Sequence, residues 1–403
     1  MSWGETRSSR IAAVGWVTVC PLLIIALGVT VLRVLDLEAV VAPLLSADTR
    51  EVHVDFDTFW HSAAALGHSD IYDTQAELRN LNPPLASVLL MPFAALDVVT
   101  AYRVFIMLTL FMVLGAVLAV CRELRLRPVV TMAILAAVLA SSPLYGTLLL
   151  GQIYPLLLAG LVAGWIAQRR GMPVLAAVLY GVTVALKPSL APLLLLAAVQ
   201  RRWAPFRAGI AAAAVASVLG VLAAGPSSAL AWLRIAFSEP VSGWVDNASL
   251  PGLAVRFGLP AGIGTALGLA VLTGTLWWCG RHRDRIDPGG TAPWAVLAAG
   301  LLFSPIAWHN YLMLLWPGVL VLIVVGRGAI AAAALAIAAI PLSLSTETPP
   351  SSVTVALTQS IYFAILVGYW AVLLRGATLS VPGAPESSAD PAADGAKSTV
   401  TAR

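Results

Sequence analysis

AYRVFIMLTLFMVLGAVLAVC, residues 101–121, is the stretch that decides the fold. Apart from Arg103 it carries no charged residue, and it reads as one predominantly apolar run. A helix rises about 1.5 Å per residue, so a run of roughly 20 residues crosses the hydrocarbon layer of a bilayer. The segment therefore predicts a membrane-spanning helix.

Apolar runs of the same kind recur along the whole chain of 403 residues, of which 59% are hydrophobic and 11% charged. That composition excludes a soluble globular protein. A transmembrane β-barrel would instead show short segments of alternating hydrophobicity. We predict an all-α polytopic membrane protein whose surroundings are a lipid bilayer, with no nucleic acid among its partners.

We predict about 12 transmembrane helices in one integral-membrane domain, residues 1–375, followed by a disordered tail at 376–403 that is rich in Ser, Ala and Pro. Lys187-Pro188 predicts a helix break, because proline ends helices and restricts the residue before it. The predicted spans are 11–33, 101–121, 128–146, 152–168, 172–187, 189–200, 208–224, 261–279, 292–306, 311–326, 328–345 and 353–375.

Basic residues near span ends mark the cytoplasmic side of a membrane protein. The clusters that we place there predict a multi-pass plasma-membrane protein with both termini in the cytoplasm. Seven further basic residues, including Lys187 and Arg256, fall on the extracytoplasmic face with most of the acids. The cytoplasmic clusters are Arg7 and Arg10; Arg122, Arg125 and Arg127; Arg169 and Arg170; Arg201, Arg202 and Arg207; Arg281, Arg283 and Arg285; Arg327; and Arg375 with Lys397 and Arg403.

Two predicted extracytoplasmic loops, residues 36–101 and 225–260, are longer than a simple helix bundle needs. Within the first, residues 84–96 are apolar but too few to cross the bilayer, which favours an interfacial or re-entrant element. Long loops on one face are a typical place for a functional site.

The first loop contains the stretch VDFDTFW, residues 54–60, with two acids in a chain that otherwise avoids charge. A carboxylate in a water-poor cleft at the membrane surface suits the removal of a proton from a hydroxyl, which makes Asp55 the candidate general base. A solvated loop acid or a helix cap is the alternative. Asp57 shares a face with Asp55 only if the segment is extended, since a helix would point the two apart.

Four other polar positions are candidates for ligand binding. Gln152 and Tyr154 interrupt two apolar runs, where a glutamine can bind a sugar hydroxyl or satisfy broken backbone groups. Lys187 can contact a phosphate or extend its amine to the interface. Arg256 can bind a phosphate with two hydrogen bonds or pair with Asp246.

Asn247, in the second loop, and the stretch SPIAWHNYLMLLWP, residues 304–317, complete the polar set. His309 and Asn310 lie in a polar notch between two predicted spans. A histidine there can donate to a phosphate oxygen or move a proton near neutral pH. A hairpin turn with interfacial side chains is the alternative.

Cysteine and acid patterns indicate no metal site and no cofactor. Cys20, Cys121 and Cys279 lie within or at the ends of apolar runs, where cysteine acts as a small hydrophobe. They form neither a zinc pattern nor an evident disulfide framework. About 12 spans with both ends inside also suit a secondary transporter, although transporters place polar breaks near the midplane rather than at one face.

Several stretches, in this order, resemble glycosyltransferase family 87, the polyprenyl-phosphate-mannose-dependent mannosyltransferases of the C-type glycosyltransferase fold. The resemblance covers residues 55–316, most of the chain. The stretches are DFDTFWHSAAAL, NPPLASVLLMPFAAL, GQIYPLLLAGL, VALKPSLAPLLLL, NASLPGLAVRF and SPIAWHNYL.

The resemblance implies an inverting transfer of mannose on the extracytoplasmic face, from polyprenyl-phosphate mannose to a hydroxyl of a glycolipid or lipoglycan mannoside. The family's loop motif of an acid, an apolar residue, two variable residues and an aromatic maps onto Asp55, Phe56 and Phe59, so Asp55 is the implied base. Another polyprenyl-phosphate sugar, such as a pentose, is the alternative donor.

The phosphate of the donor would meet His309, Lys187 and Arg256, and the sugars would meet Asp57, Gln152, Tyr154, Asn247 and Asn310. The family commonly has one residue between the tryptophan of its Ser-Pro motif and a histidine. In this chain His309 follows Trp308 directly.

Overall fold

The fold is given by a computed structural model that describes residues 42–283, 290–324, 346 and 349–377. Within these residues the only regular structure is helical, apart from an isolated antiparallel bridge between Asn247 and Trp308. The prediction of an all-α protein is therefore confirmed for this part. The predicted spans 11–33 and 328–345, Cys20 and nearly all of the predicted tail lie outside the described residues.

Sixteen α-helices of more than five residues follow one another in the described part. Many begin with proline in the first turn, where the missing N–H costs no hydrogen bond. They are α1 Val54–Ala64, α2 Pro84–Leu90, α3 Val98–Glu123, α4 Pro128–Leu139, α5 Ser142–Leu150, α6 Tyr154–Arg169, α7 Pro173–Leu186, α8 Pro192–Val199, α9 Trp203–Ala224, α10 Pro226–Ser238, α11 Leu250–Arg256, α12 Ala261–Arg281, α13 Ala292–Phe303, α14 Trp316–Val324, α15 Val353–Thr358 and α16 Ile361–Gly376.

Among the residues that the structure describes, three helices, α3, α9 and α12, are long and apolar enough to cross a membrane by themselves. The pair α4 and α5 would make a fourth span, bent by 51°. The other apolar helices are shorter, so the predicted count of about 12 spans is not confirmed. Both predicted loops contain helices: α1 and α2 lie in the first, and α10 and α11 in the second.

Several predicted spans are broken in the structure at polar or proline-containing positions. α7 ends at Leu186 and α8 begins only at Pro192, which confirms the break at Lys187-Pro188. The run 353–375 divides into α15 and α16 at Gln359 and Ser360, which are both buried. A continuous apolar run therefore does not ensure one continuous helix.

The core of the bundle lies around α13, in which every residue except Phe303 is buried. A helix that is apolar on all sides is expected at such a central position. By contrast, α9 exposes large apolar side chains such as Val215, Leu219 and Leu222, the last with 70% of its surface accessible. An exposed apolar face of this size suits contact with lipid.

Small residues let α7 and α9 cross at close range. An ideal Cβ on Gly181 would overlap the carbonyl oxygen of Gly209 and lie 3.0 Å from the backbone nitrogen of Ala213. Close approach through glycine and alanine is a common way to pack helices in membranes. This crossing positions the end of α7, where Lys187 lies.

Gly181→Ala tests this crossing. The added methyl group meets backbone that cannot move aside, so we expect the free energy of unfolding to fall by about 1–3 kcal/mol. In the control, Gly368→Ala on α16, the methyl group meets open space, and the thermal midpoint should be unchanged or slightly higher. Thermal unfolding in detergent measures both; an equal response of the two variants would contradict the prediction.

Candidate active site

Helix α1 brings Asp55 to the site in its first turn. The residue before the helix, His53, is fully buried. Its Nδ1 lies 2.6 Å from the carbonyl oxygen of Leu149. Its ring also stacks on Tyr102, with 3.6 Å between the ring centroids. The start of α1 is thereby joined to α5 and α3, so the position of Asp55 depends on helices far away in the sequence.

Gln152 is the partner of Asp55. It lies in the break between α5 and α6, and its side-chain amide donates to Oδ2 of Asp55. The break needs glycine at position 151, because Gly151 has a φ of +72° and a Cβ there would overlap Phe56. Gly151 therefore lets α1 approach the break closely enough for the glutamine and the carboxylate to meet.

Lys187 belongs to the same group of side chains. Its Nζ donates to Oδ1 of Asn82 at 3.2 Å and lies 5.7 Å from the centroid of the Tyr311 ring. The Tyr311 ring in turn lies 4.4 Å, centroid to centroid, from the ring of Tyr154. Three predicted site residues, Gln152, Tyr154 and Lys187, thus lie around Asp55.

The surroundings of Asp55 make its carboxyl group a better base than an ordinary aspartate. Burial raises its pKa to about 6, while the hydrogen bond from Gln152 and the charge of Lys187 lower it by less. A pKa near the working pH is the best compromise between being ionised and binding a proton strongly. Asp55 is therefore suited to general-base catalysis.

Asp57 faces away from this group, as a helical segment requires. Its Oδ1 accepts a hydrogen bond from the Thr49 hydroxyl at 3.0 Å, and its Oδ2 lies 3.2 Å from Nδ1 of His61. With 2% of its surface accessible, Asp57 supports the packing around α1. Its predicted contact with substrate stays a prediction.

His309 lies on the 3₁₀ turn His309–Leu315, between α13 and α14. Its Nδ1 is 3.1 Å from Oδ2 of Asp246, and its ring packs on Tyr362 with 5.0 Å between centroids. The other nitrogen, Nε2, faces Gly146, where a Cβ would lie only 3.0 Å away. A neighbouring carboxylate at Nδ1 favours one orientation of the ring, with Nε2 against the backbone of Gly146.

The side chain of Asn310 lies against Gly146, as that of His309 does. Its Oδ1 would be 2.6 Å from a Cβ on Gly146 and, within the described part of the chain, is buried without a hydrogen-bond partner. Buried polar atoms without partners are rare and call for a ligand or water. The missing side chain of Gly146 therefore lets His309 and Asn310 pack directly against the backbone of α5.

The side chain of Arg256 is buried and holds the second loop by hydrogen bonds. Its guanidinium donates to the carbonyl oxygens of Gly243, Trp244 and Asn247 and to the hydroxyl of Ser360, at 2.8 to 3.3 Å. Only 3% of the residue is accessible. The donors of Arg256 are thus occupied by protein groups, although Asp246 is near enough to act on its charge. The predicted phosphate contact of Arg256 stays a prediction.

Asn247 also organises the second loop. Its amide donates to the carbonyl oxygens of Ser242 and Pro305, and its Oδ1 accepts from the backbone of Ser249 and Ala307. These bonds join the loop to the turn that precedes His309. The predicted contact of Asn247 with substrate is untested, but its side-chain groups are occupied by protein.

An apolar groove of about 270 Å³ opens beside Gln152. The polar side chains among its lining residues are those of Gln152 and Thr109, and the others are hydrophobic. Such a groove suits a hydrocarbon chain whose polar end lies near Asp55. The lining residues come from α2, α3, α6 and the turns next to them: Ala86, Leu89, Leu90, Phe93, Phe105, Leu108, Thr109, Met112, Gln152, Ile153, Pro155, Leu156 and Leu186.

Two residues of this site, Asn82 and Tyr311, had no role in the sequence-based prediction, and both contact Lys187. Asp246 was predicted only as a possible partner of Arg256, and the structure places it beside His309. Asn82 stands before two prolines and Tyr311 follows the polar pair at 309–310, which are the only local signals. No group of three or more metal-ligating side chains occurs among residues 42–283, 290–324 and 349–377.

Comparison with known proteins gives a family match and two curated relatives. The model of glycosyltransferase family 87 matches residues 80–305. Two proteins named alpha-(1->3)-arabinofuranosyltransferase, from the CDC 1551 / Oshkosh and H37Rv strains of Mycobacterium tuberculosis, are each 29% identical over 257 residues. These residues are 60% of this chain and 59% of each relative, so the alignment spans about three fifths of the relatives' length. No solved structure matches the chain.

Arg256→Lys tests the structural position of the guanidinium. Lysine cannot replace the fork of donors, so buried carbonyl oxygens lose partners and the free energy of unfolding should fall by about 1–3 kcal/mol. Arg234→Lys, at an exposed position of α10, is the matched control and should unfold like the parent. Thermal unfolding measures the effect; a stable Arg256→Lys protein would contradict the prediction.

Proposed function

Because the chain belongs to glycosyltransferase family 87, we propose that it moves a sugar from a polyprenyl phosphate to an acceptor hydroxyl, with Asp55 as the general base. Membership makes it a membrane glycosyltransferase and removes the transporter alternative. The observation that carries the proposal is the position of Asp55: a buried carboxyl group that accepts a hydrogen bond from Gln152, which also lines an apolar groove.

The reaction is a single displacement with inversion. Asp55 takes the proton of the acceptor hydroxyl as its oxygen attacks the anomeric carbon. The bond from that carbon to the phosphate oxygen breaks, and its electron pair leaves with the polyprenyl phosphate. The phosphate needs no proton, because positive charge and hydrogen-bond donors stabilise it in a site of low dielectric.

Lys187 and His309 are the proposed phosphate contacts. Lys187 lies near enough to Asp55 to affect its pKa, and His309 lies on the 3₁₀ turn that also carries Tyr311, which contacts Lys187. Asp246 is the proposed orienting partner of His309, and Asn310 next to it has a buried side-chain oxygen without a hydrogen-bond partner in the described part of the chain. Arg256 acts on this site indirectly, by holding the loop that carries Asp246.

The apolar groove is the proposed place of the polyprenyl chain. It is lined by residues of α2, α3 and α6 together with Gln152, so a lipid phosphate next to Gln152 would lie towards Asp55 and Lys187. The chain would pass from the apolar bilayer into an apolar groove, so the groove orients the donor rather than adding hydrophobic binding energy. In this arrangement the lipid chain of the donor and the polar groups that react would lie on either side of Gln152.

Mannose is the first candidate for the transferred sugar, with a mannosylated glycolipid or lipoglycan as acceptor on the extracytoplasmic face. Arabinofuranose is the second candidate, because the two curated relatives are named arabinofuranosyltransferases. Both sugars fit the same mechanism, since each would leave polyprenyl phosphate and require a base. Either product belongs to the cell envelope.

Asp55→Asn should abolish the base without changing the shape of the side chain. We expect the rate of transfer to fall by about 10²- to 10⁴-fold, the usual contribution of a general base. Asp73→Asn, at an exposed position in the same loop, is the control and should keep its activity. Thermal unfolding of both variants shows whether folding is retained; transfer at the parental rate by folded Asp55→Asn would end the proposal.

The rate of transfer should rise with pH through about 6, where Asp55 loses its proton. Gln152 and Lys187 both favour the carboxylate, so Gln152→Leu and Lys187→Gln should each raise the pKa and move this acid limb to higher pH. The shift should be larger for Gln152→Leu, because its hydrogen bond lowers the pKa more than the charge of Lys187 does. The midpoint of the pH–rate profile is the measurement, and a lower midpoint in either variant would contradict the assignment.

A transfer assay identifies the donor. Membranes that contain the protein receive glycolipid acceptors from an envelope extract and one of two donors, polyprenyl-phosphate mannose or polyprenyl-phosphate arabinofuranose. We expect labelled sugar to reach the acceptor from one donor, and Asp55→Asn membranes are the blank for both. Transfer from mannose supports the first candidate and transfer from arabinofuranose the second. A requirement for a nucleotide sugar instead would contradict the lipid donor.

A further inference from the structure

A second cavity lies at the other end of α3 and α6, far from Asp55. It has a volume of about 520 Å³. Asp55 contacts the residues before α6, whereas this cavity contains Arg170 at the end of that helix. A helix of 16 residues is about 24 Å long, so the two places are separated by most of a bilayer. The lining residues are Gly115, Leu118, Ala119, Arg122, Glu123, Ile166 and Arg170.

The polar side of this cavity carries a net positive charge. Arg170 donates to Oε2 of Glu123 through Nε at 3.1 Å and Nη2 at 2.9 Å, and Nε of Arg169 lies 3.6 Å from the other carboxylate oxygen. Two guanidinium groups therefore share one carboxylate. Arg122 is exposed, and its guanidinium forms no hydrogen bond or ion pair with the described residues. The sum of these charges favours an anion.

The other side of the cavity is apolar and open. A Cβ on Gly115 would meet nothing within 4 Å, and Leu118 exposes 40% of its surface. Phe111, one turn before Gly115, is 65% exposed. A hydrocarbon chain can lie along this face of α3 in contact with side chains on one side and lipid on the other.

One face of α3 joins the two cavities. The residues that α3 gives to the groove near Asp55 include Phe105, Leu108 and Met112, and those that it gives to the second cavity include Gly115, Ala119 and Arg122. Successive members of this series are three or four residues apart, which places them on one stripe of a helix. An acyl chain that starts at Arg122 would therefore follow the stripe towards the groove.

We propose that the cavity at Arg122 and Arg170 binds an anionic phospholipid, with its phosphate at the arginines and an acyl chain along Gly115. Basic pockets between membrane helices commonly bind anionic headgroups. The site lies at the membrane end that the basic residues predict to be cytoplasmic, so the lipid would come from that leaflet. It is independent of the sugar-transfer proposal and does not use Asp55.

The test measures the binding of dioleoylphosphatidylglycerol to the purified full-length chain by native mass spectrometry. Dioleoylphosphatidylcholine has the same chains without net charge, and glycerol 3-phosphate has the phosphate without the chains. We expect the anionic lipid to bind at least about tenfold more tightly than either, a difference of roughly 1.4 kcal/mol. Equal binding of glycerol 3-phosphate would show a soluble-anion site and overturn the proposal.

Two pairs of variants separate this site from general attraction to a basic surface. Arg122→Gln should weaken binding of the anionic lipid by about tenfold, whereas Arg127→Gln removes a charge at the same end of the molecule, outside the cavity, and should not. Gly115→Leu fills the path of the chain and should weaken binding, whereas Gly274→Leu, also at an open position, should not.

Arg122 and Arg127 are both exposed, so their glutamine variants should fold. Thermal unfolding of all four variants checks that folding is retained. Equal loss of lipid binding in Arg122→Gln and Arg127→Gln would show diffuse electrostatics and overturn the proposal. Unchanged lipid binding in Gly115→Leu would overturn the path of the acyl chain.

Discussion

The contact between Gln152 and Asp55 is the interaction on which the candidate site depends. A carboxylate next to an apolar groove loses hydration, and burial alone would favour its protonated form. The amide of Gln152 and the charge of Lys187 offset part of that cost and leave a pKa near neutrality. The contact exists because α5 and α6 do not join into one helix, and Gly151 supplies both the turn and the space for α1.

The remaining parts of the site come from segments that are distant in the chain and are held by buried polar contacts. His53 fixes the start of α1 against α5, and Arg256 and Asn247 hold the second loop against the turn before His309. Polar groups in this position are expensive to bury unless they have partners. His53, Arg256 and Asn247 thus hold the segments around the candidate site through their buried hydrogen bonds.

Helix breaks, more than helix lengths, organise this membrane protein. The break before α6 provides Gln152, the break after α7 provides Lys187, and the 3₁₀ turn before α14 provides His309. Irregular backbone at membrane depth needs protein or a water-filled cavity around it. A cleft that admits both water and lipid is a place where that condition is met, and sugar transfer from a lipid donor needs such a cleft.

The amino-acid sequence by itself determined the helical membrane class, the break at Lys187-Pro188, the candidate base and the family. These follow from local composition and from the order of motifs, because hydrophobic runs and prolines act on neighbouring residues. Only the tertiary structure decided which side chains contact each other. Gln152 donates a hydrogen bond to Asp55, 97 positions away. Asp246 lies beside His309, and Arg256 donates to backbone carbonyl oxygens. The same apolar pattern also predicted single spans where the structure has bent or divided helices. The physical reason is that the hydrophobic pattern of the sequence determines which residues are buried. The hydrogen-bond partner of a buried polar group depends on which groups the packing of the helices brings within reach.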